Sequence, residues 1–376
     1  MPDTADAPGA GAVAEAADET ASRATPPGVL PVAIAGLGAH LPDRVVTNDD
    51  LASRLDTSDE WIRSRTGIAE RHVAAPDEAT ADLAAAAGKA ALADAGLGIE
   101  DVATVLVATT TPDHLIPGTA PLVAARLGTQ VAAMDLNAAC SGFVYGLRVG
   151  GALAATGDAS VLLIGAETLT RVVDPEERST AVLFGDGAGA VVLVPRRGAT
   201  LGPFSLGVDG TDPSMLWRQA GGTRQPTTAE DLSASRHLLT MRGGDVYRHA
   251  VANMAGAATA VLEQAGREVG DVDLLIGHQA NARILEAVRS RLGVDAARTH
   301  LTVDRHANTS AASIPLALAD ARAAGRLRPG ASVLLAAFGA GLTWGACLLT
   351  WDPDAQAVQE TPRAQAAPHA PAQESR

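Results

Sequence analysis

Cys140 is one of only two cysteines in 376 residues, and its setting suits a nucleophile. It lies in "AMDLNAACSGFVYG", where "MDLN" reads as the end of a strand and "SGFVYGLRVGGALAATG" has helical spacing. A strand-to-helix turn would put the sulfur at a helix N-terminus, whose dipole stabilises a thiolate by up to about 2 kcal/mol. A free thiol titrates near ~8.5, and each pKa unit is worth ~1.4 kcal/mol. Such a site is expected to hold a useful fraction of thiolate at neutral pH. The small neighbours Ala138, Ala139, Ser141 and Gly142 leave room for a substrate. The competing reading is a buried structural thiol. Cys347, inside the apolar run "WGACLLTW", has no such setting and reads as core.

His278 offers a partner. It follows "DLLIG" and precedes "QANARILEAVRSRLG", a second strand-to-helix junction. Asn308, in "DRHANTSAAS", has the amide that a polarising or orienting role needs. Each has a plain alternative: a satisfied structural histidine, and a turn or helix N-cap asparagine. His306, two residues before Asn308, is the rival histidine.

The elements that must position these groups alternate between apolar β-type runs and Ala-rich helical stretches, which is an α/β pattern. Strands are expected at "VAIAGLG", "VATVLVATT", "VAAMDLN", "SVLLIGAE", "AGAVVLVP", "VDLLIGHQ", "HLTVDR", "SVLLAAF" and "ACLLTW". Most are continuous apolar runs, as in strands covered on both faces. "ASVLL" at Ala159 recurs at Ala331, and "ALADAGLGIEDV" at Ala91 is echoed by "VLEQAGREVGDV" at Val261, at nearly the same offset. The body therefore reads as a duplicated half-unit, in which Cys140 corresponds to about Ala312. The expected divisions are a disordered tail at 1–30, halves at 31–200 and 201–351, and a second disordered tail at 352–376. Strand ends of the two halves can then bring Cys140, His278 and Asn308 together.

The glycine-rich "FGDGAGAVVLVP" leads into a β-run, so the dinucleotide and P-loop readings fail, and it is expected to form a tight hairpin crossing. "FGAGLTWGACLL" has the same form in the second half. A formal charge of −14 argues against a nucleic-acid partner. Two cysteines without metal spacing argue against a disulfide scaffold or a metal site. The single lysine, Lys89, lies in an ordinary Ala-rich helix, which argues against Schiff-base chemistry. No run approaches the roughly 20 apolar residues of a membrane span. The opening residues lack the pattern of a secretory signal, so a soluble, cytoplasmic protein is expected.

Taken together, "DTSDEWIRSRTGIAERHVA", "DLNAACSGFVYGL", "FGDGAGAVVL", "GHQANARI", "DRHANTSAASIPLAL" and "AFGAGLTWGACLL" closely resemble the β-ketoacyl-acyl carrier protein synthase III family. The resemblance covers essentially everything between the tails. It implies the thiolase fold, with duplicated half-units in αβαβα layers, and a homodimer without a resident cofactor. It also implies condensation of a short-chain acyl-CoA with malonyl-acyl carrier protein, which starts type II fatty acid synthesis. A starter-loading ketosynthase or acyltransferase of polyketide metabolism, with the same fold, is the nearest alternative.

By this resemblance Cys140 is the acyl-accepting nucleophile, with His278 and Asn308 as its partners. Trp61, Arg65 and Arg178 hold coenzyme A. Gln279, Ala280, Asn281, Ala282 and Arg283, with Arg248, contact the carrier protein. Backbone N–H groups of Cys140 and Ala340 form the oxyanion hole, and Ile116 and Phe338 belong to the primer pocket, Ile116 across the dimer interface. Ala307 and Ala340 stand where the family often has glycine, as does Ser179. The aliphatic Ile116 implies tolerance for branched or longer primers. A papain-like hydrolase also runs Cys, His, Asn, but it carries its cysteine near the mature N-terminus of a cysteine-rich secreted chain.

Overall fold

The computed structural model describes residues 28–352 apart from 158 and 197. Nine strands and six helices make up the body: β1 (Val32–His40), α1 (Thr80–Ala95), β2 (Val102–Ala108), α2 (Thr119–Leu127), β3 (Ala132–Leu136), α3 (Gly142–Gly157), β4 (Ser160–Thr168), β5 (Asp186–Pro195), β6 (Leu201–Val208), α4 (Gly243–Ala265), β7 (Leu274–Gly277), α5 (Ala282–Leu292), α6 (Ser313–Ala323), β8 (Ser332–Gly339) and β9 (Thr343–Thr350). Shorter helical turns and two small two-stranded ribbons decorate it.

Two sheets repeat one strand order. The first runs β1-β5-β4-β2-β3, and the second, read from the matching edge, runs β6-β9-β8-β7. In each, the first two pairings are antiparallel and the next is parallel. A fifth strand in the second sheet is reduced to a single parallel bridge, Leu275 to Thr299. The expected strand "HLTVDR" is therefore not formed; the chain turns instead into a helical turn at Val303–His306.

The helices fall into three layers, giving the αβαβα stack. α3 and α6 lie between the sheets and touch strands of both, α1 and α2 cover the outside of the first sheet, and α4 and α5 cover the second. Strands covered on both faces should be apolar throughout, and all nine residues of β4 are buried. The scarcity of aromatics is met by close backbone approach. On β1, a Cβ at Gly36 or Gly38 would lie 2.2 Å from the Ala91 carbonyl or 2.1 Å from that of Ala87, so α1 rests directly on the strand. Asp135 of β3 accepts the N–H groups of Thr119 and Ala120 at 2.7 and 2.6 Å, tying the start of α2 to the sheet.

Three further expectations need correction. β6, "LGPFSLGV", contains glycine and proline and carries no sequence signal of a strand, yet it pairs along the edge with β9. The segment from Phe184 is not a tight hairpin, because residues 169–185 separate β4 from β5; β8 and β9 do form one, across residues 340–342. The ordered body is also wider than 31–351. Leu30 pairs with Leu201, and Asp352 forms an ion pair with Arg196 at 2.9 Å. Residues 1–27 and 353–376 of the expected tails lie outside the described residues.

Candidate active site

One cavity of about 800 Å³ gathers Cys140, His278 and Asn308. The loop after β3 carries the cysteine. Asn137 Oδ1 accepts the Ala139 N–H at 3.2 Å, and Ala139 adopts a φ of 48°, which bends the chain into a single 3₁₀ turn ahead of α3. The turn is fastened to the second sheet: Ser141 Oγ donates to the Thr343 carbonyl at 3.1 Å, and Thr343 Oγ1 donates to that of Ala138 at 2.8 Å. Gly339 lies so close that a Cβ there would be 2.6 Å from the Cys140 nitrogen.

The strand-to-helix position of Cys140 is as expected, but the resting thiolate is not. Burial pushes the thiol up to about 12, and the charge of Glu167 adds to the rise. A hydrogen bond with Ser310 and the residue's own N–H pull the other way without cancelling it. Desolvation outweighs what a helix start supplies, and the sulfur rests as a thiol. Cys347 is buried on β9, and burial raises its thiol as well.

His278 follows β7 and is 2 % exposed, and its burial depresses the pKa to about 3, so the imidazole is neutral. Its Nδ1 lies 2.6 Å from Ser313 Oγ, which also accepts the Gln279 N–H at 3.3 Å. Nδ1 is thus engaged by the serine, and Nε2 is the ring nitrogen left for the site. Asn308 reaches the same state: its Oδ1 accepts the Ser310 N–H at 2.9 Å, so the amide NH₂ remains to donate. Ala307, just before it, has a φ of 54° and a ψ of −156°, a conformation that strains a residue with a Cβ. The rival His306 is buried, contributes nothing to the cavity wall and packs edge-on to His72 at 6.2 Å.

The other expected residues divide. Phe338, Ala340, Ala280, Asn281 and Arg283 line the cavity, and Arg283 stands over the Tyr247 ring at 5.9 Å. Trp61, Arg65, Arg178, Ala282, Arg248 and Ile116 lie outside its wall. The Arg178 guanidinium sits 4.8 Å above the Trp61 ring, and Arg65, at the end of the helix Asp59–Thr66, accepts at its carbonyl from Asn281 Nδ2 at 3.2 Å. Arg248 is exposed and pairs with Asp245 at 2.5 Å, while Ile116 is 91 % exposed. Gln279 is a correction. It is 1 % exposed, its Oε1 accepts the N–H groups of Thr302 and Val303, and its Nε2 donates to Gly277 and His300 carbonyls. An interior brace of this kind has no surface to offer a carrier protein.

Sequence reasoning missed Ser310, Ser313 and Glu167. Glu167 is fully buried at the end of β4, and burial raises its pKa. A carboxylate inside the apolar run "SVLLIGAET" was the available signal. Among the described residues no cluster of metal-ligating side chains occurs, and no helix is long and apolar enough to cross a membrane.

Comparison with known proteins gives one answer. The family model for 3-oxoacyl-[acyl-carrier-protein] synthase III matches residues 134–210, and the model for its C-terminal part matches 262–351. A β-ketoacyl-[acyl-carrier-protein] synthase III of Streptomyces coelicolor is 51 % identical over 323 residues, 85 % of this chain and 96 % of its own length. One from Desulfitobacterium hafniense is 46 % identical over 86 % of this chain and 98 % of its own. The structure of 3-oxoacyl-(acyl carrier protein) synthase III from Pseudomonas aeruginosa superposes with a TM-score of 0.78 at 45 % identity, covering 86 % of this chain and 98 % of that one. The priming β-ketosynthase of the R1128 polyketide pathway superposes with a TM-score of 0.79 at 35 % identity, over 86 % and 97 %.

Proposed function

The chain belongs to the β-ketoacyl-acyl carrier protein synthase III family, and on that premise we propose how its own residues carry the family's reaction. It is an acyltransferase that condenses an acyl-CoA with malonyl-acyl carrier protein to initiate fatty acid synthesis. The observation that carries the residue assignment is the convergence of Cys140, His278 and Asn308 on one cavity.

The Cys140 sulfur attacks the acyl-CoA thioester, coenzyme A departs, and the acyl group stays on sulfur. Because the thiol rests protonated, attack and proton loss are coupled. Malonyl-carrier protein then loses CO₂. The Nε2–H of neutral His278 and the NH₂ of Asn308 donate to the enolate oxygen that develops, and the carbon nucleophile attacks the acyl-Cys140 carbonyl. Backbone N–H groups of Cys140 and Ala340 receive the oxyanion of both tetrahedral intermediates.

Around this centre, the Arg178–Trp61 pair and Arg65 hold coenzyme A. Exposed Arg283 and Arg248, with Ala280, Asn281 and Ala282, face the carrier protein; a cationic patch on a chain of charge −14 supports an acidic partner. Leu115 and Ile116, 82 % and 91 % exposed, form an apolar tip that supports a homodimer in which each tip completes the partner's primer pocket. The half-units divide near residue 200. The likeness to a priming ketosynthase supports a second reading, in which the carrier serves polyketide assembly, and activity with both carrier types separates the two.

The test is intact-mass measurement after incubation with a panel of acyl-CoAs. One acyl group should be gained, its identity giving the primer, and Cys140→Ala should gain none. No adduct with any acyl-CoA would sink the assignment.

A further inference from the structure

Two arginines line the cavity, Arg283 and Arg218, and the reaction described above has no use for the second. Arg218 ends the first strand of a small ribbon, Leu216–Arg218, which pairs antiparallel with Leu239–Met241. In that register Arg218 lies opposite Leu239, and Leu216 opposite Met241. Opposed residues point to the same side of a ribbon and alternate residues share a face, so these four side chains form one face. All four line the cavity.

The ribbon connects two ends of that cavity. Met241 is two residues from Gly243, where α4 begins, and the first turns of α4 carry Tyr247 beneath Arg283. Leu239 belongs to the other end. Its N–H donates to the Val172 carbonyl at 2.8 Å, and its side chain packs with Val172, Leu169 and Phe184. Phe184 in turn bridges to Asn308. An apolar wall therefore starts beside Asn308, passes over Phe184, Leu169 and Leu239, and reaches Arg218.

The Arg218 charge has no counter-ion. Its Nε–H donates to the His237 carbonyl at 2.8 Å; among the described residues no carboxylate pairs with it, and neither terminal nitrogen has a hydrogen-bond partner. Acids on the segments flanking the ribbon have their own cations: Asp212 and Asp245 pair with Arg242, Asp245 also with Arg248, and Glu230 and Asp231 with Arg236. No aspartate or glutamate lines the cavity. Although the residue is exposed, desolvation lowers its pKa, so the charge is incompletely hydrated. The N–H bonds of its two terminal nitrogens form a planar fork that matches a carboxylate.

We propose that the acyl group taken up by Cys140 ends in a carboxylate, which Arg218 receives at the far end of this wall: the primer is an ω-carboxyacyl-CoA. The proposal rests on Cys140 being the acylated nucleophile. The transfer keeps its bonds. The Cys140 sulfur joins the thioester carbon, the bond from that carbon to the coenzyme A sulfur breaks, and the Cys140 proton leaves on coenzyme A. The remote carboxylate gains and loses no covalent bond; it gives the primer a second point of attachment. An alkyl chain of the same length would displace water from Arg218 and offer it no hydrogen bond in return.

The experiment compares acyl-CoA pairs of equal carbon number: succinyl with butyryl, glutaryl with pentanoyl, and adipoyl with hexanoyl. The rate of Cys140 acylation is followed by rapid-quench intact mass. In the wild type one ω-carboxyacyl-CoA should exceed its alkyl counterpart by at least about tenfold, and its length gives the reach to Arg218. Arg218→Leu should slow that substrate by about 10–100-fold, the usual loss for a hydrogen bond to a charged group, while the alkyl counterpart stays within about threefold or speeds up. Arg218→Lys keeps the charge without the fork and should fall between wild type and Arg218→Leu. If Arg218→Leu fails to fold, the wild-type comparison and Arg218→Lys decide. Preference for the alkyl member of every pair would overturn the proposal, as would unchanged rates in Arg218→Leu. Equal losses on both members would also overturn it, leaving Arg218 a brace for the ribbon through His237. Alkyl uptake without carboxyacyl uptake strikes the proposal and leaves the function standing; no adduct with any acyl-CoA strikes the function as well.

Discussion

Two turns face each other across the middle of the molecule, and they are built alike. Asn137 and Asn308 each accept the N–H two residues on, at 3.2 and 2.9 Å. Ala139 and Ser310 follow at φ of 48° and 49°, then a 3₁₀ turn, then a central helix, α3 or α6. Cys140 is matched by Ala311, one residue earlier than the offset of the sequence echoes indicated. One backbone device thus serves two chemical ends. The first turn presents sulfur; the second presents an amide NH₂. Left-handed residues with a Cβ cost about 1–2 kcal/mol each, and both turns accept that strain at the site.

The comparison can be broken from either side. The largest effect should come from Cys140→Ala, which removes the nucleophile; acyl adduct formation and condensation should fall by about 10⁴-fold or more, read by intact mass and by product formation. Next, Asn308→Ala and His278→Ala should each lower CO₂ release from malonyl-carrier protein by about 10²–10³-fold, the usual loss when one donor to a developing oxyanion is removed. Asn137→Ala, at the matching position of the other turn, should cost about 1 kcal/mol of stability through its lost turn hydrogen bond, with activity within about tenfold of wild type. Denaturant melts and turnover together distinguish the two asparagines. Equal catalytic losses would erase the division of labour.

Acid should act through the buried histidines. His278 and His306 have pKa values depressed to about 3 and about 4, so each stays neutral in the folded protein where the unfolded chain is already protonated. Stability is then full above about pH 6.5 and falls as pH drops toward 4, by about 2 kcal/mol per histidine at pH 5. Urea midpoints across that range check the sign. The smallest effect belongs to the rim: Arg283→Ala should raise the KM for malonyl-carrier protein about tenfold and leave acylation by acyl-CoA within about twofold. Equal loss in both steps would remove Arg283 from the carrier surface.

Much of this was legible in the sequence because the signals were local. Eight of the nine expected strands form within continuous apolar runs, and the positions of Cys140 and His278 at strand ends follow from those runs. What escaped depends on tertiary context. β6 forms despite glycine and proline because the edge of β9 offers it hydrogen bonds. "HLTVDR" has strand composition, but beside the Thr299 bridge only its first residue bonds β7, the His300 N–H donating to the Leu275 carbonyl at 3.0 Å, before the chain turns to place Asn308. The protonation of Cys140 reflects desolvation by groups far apart in the chain, and the threonines that hold buried Glu167 lie more than fifty residues from it. Gln279 lay in a motif implying surface contact, and only burial shows it to be a brace.

The most direct test is to separate the two half-reactions in His278→Ala. If one turn supplies the nucleophile and the other half supplies the donors, this variant should still gain one acyl group on Cys140 by intact mass, at a rate within about tenfold of wild type, while CO₂ release from malonyl-carrier protein falls by about 10²-fold or more. Acylation and decarboxylation lost to the same extent would contradict the account.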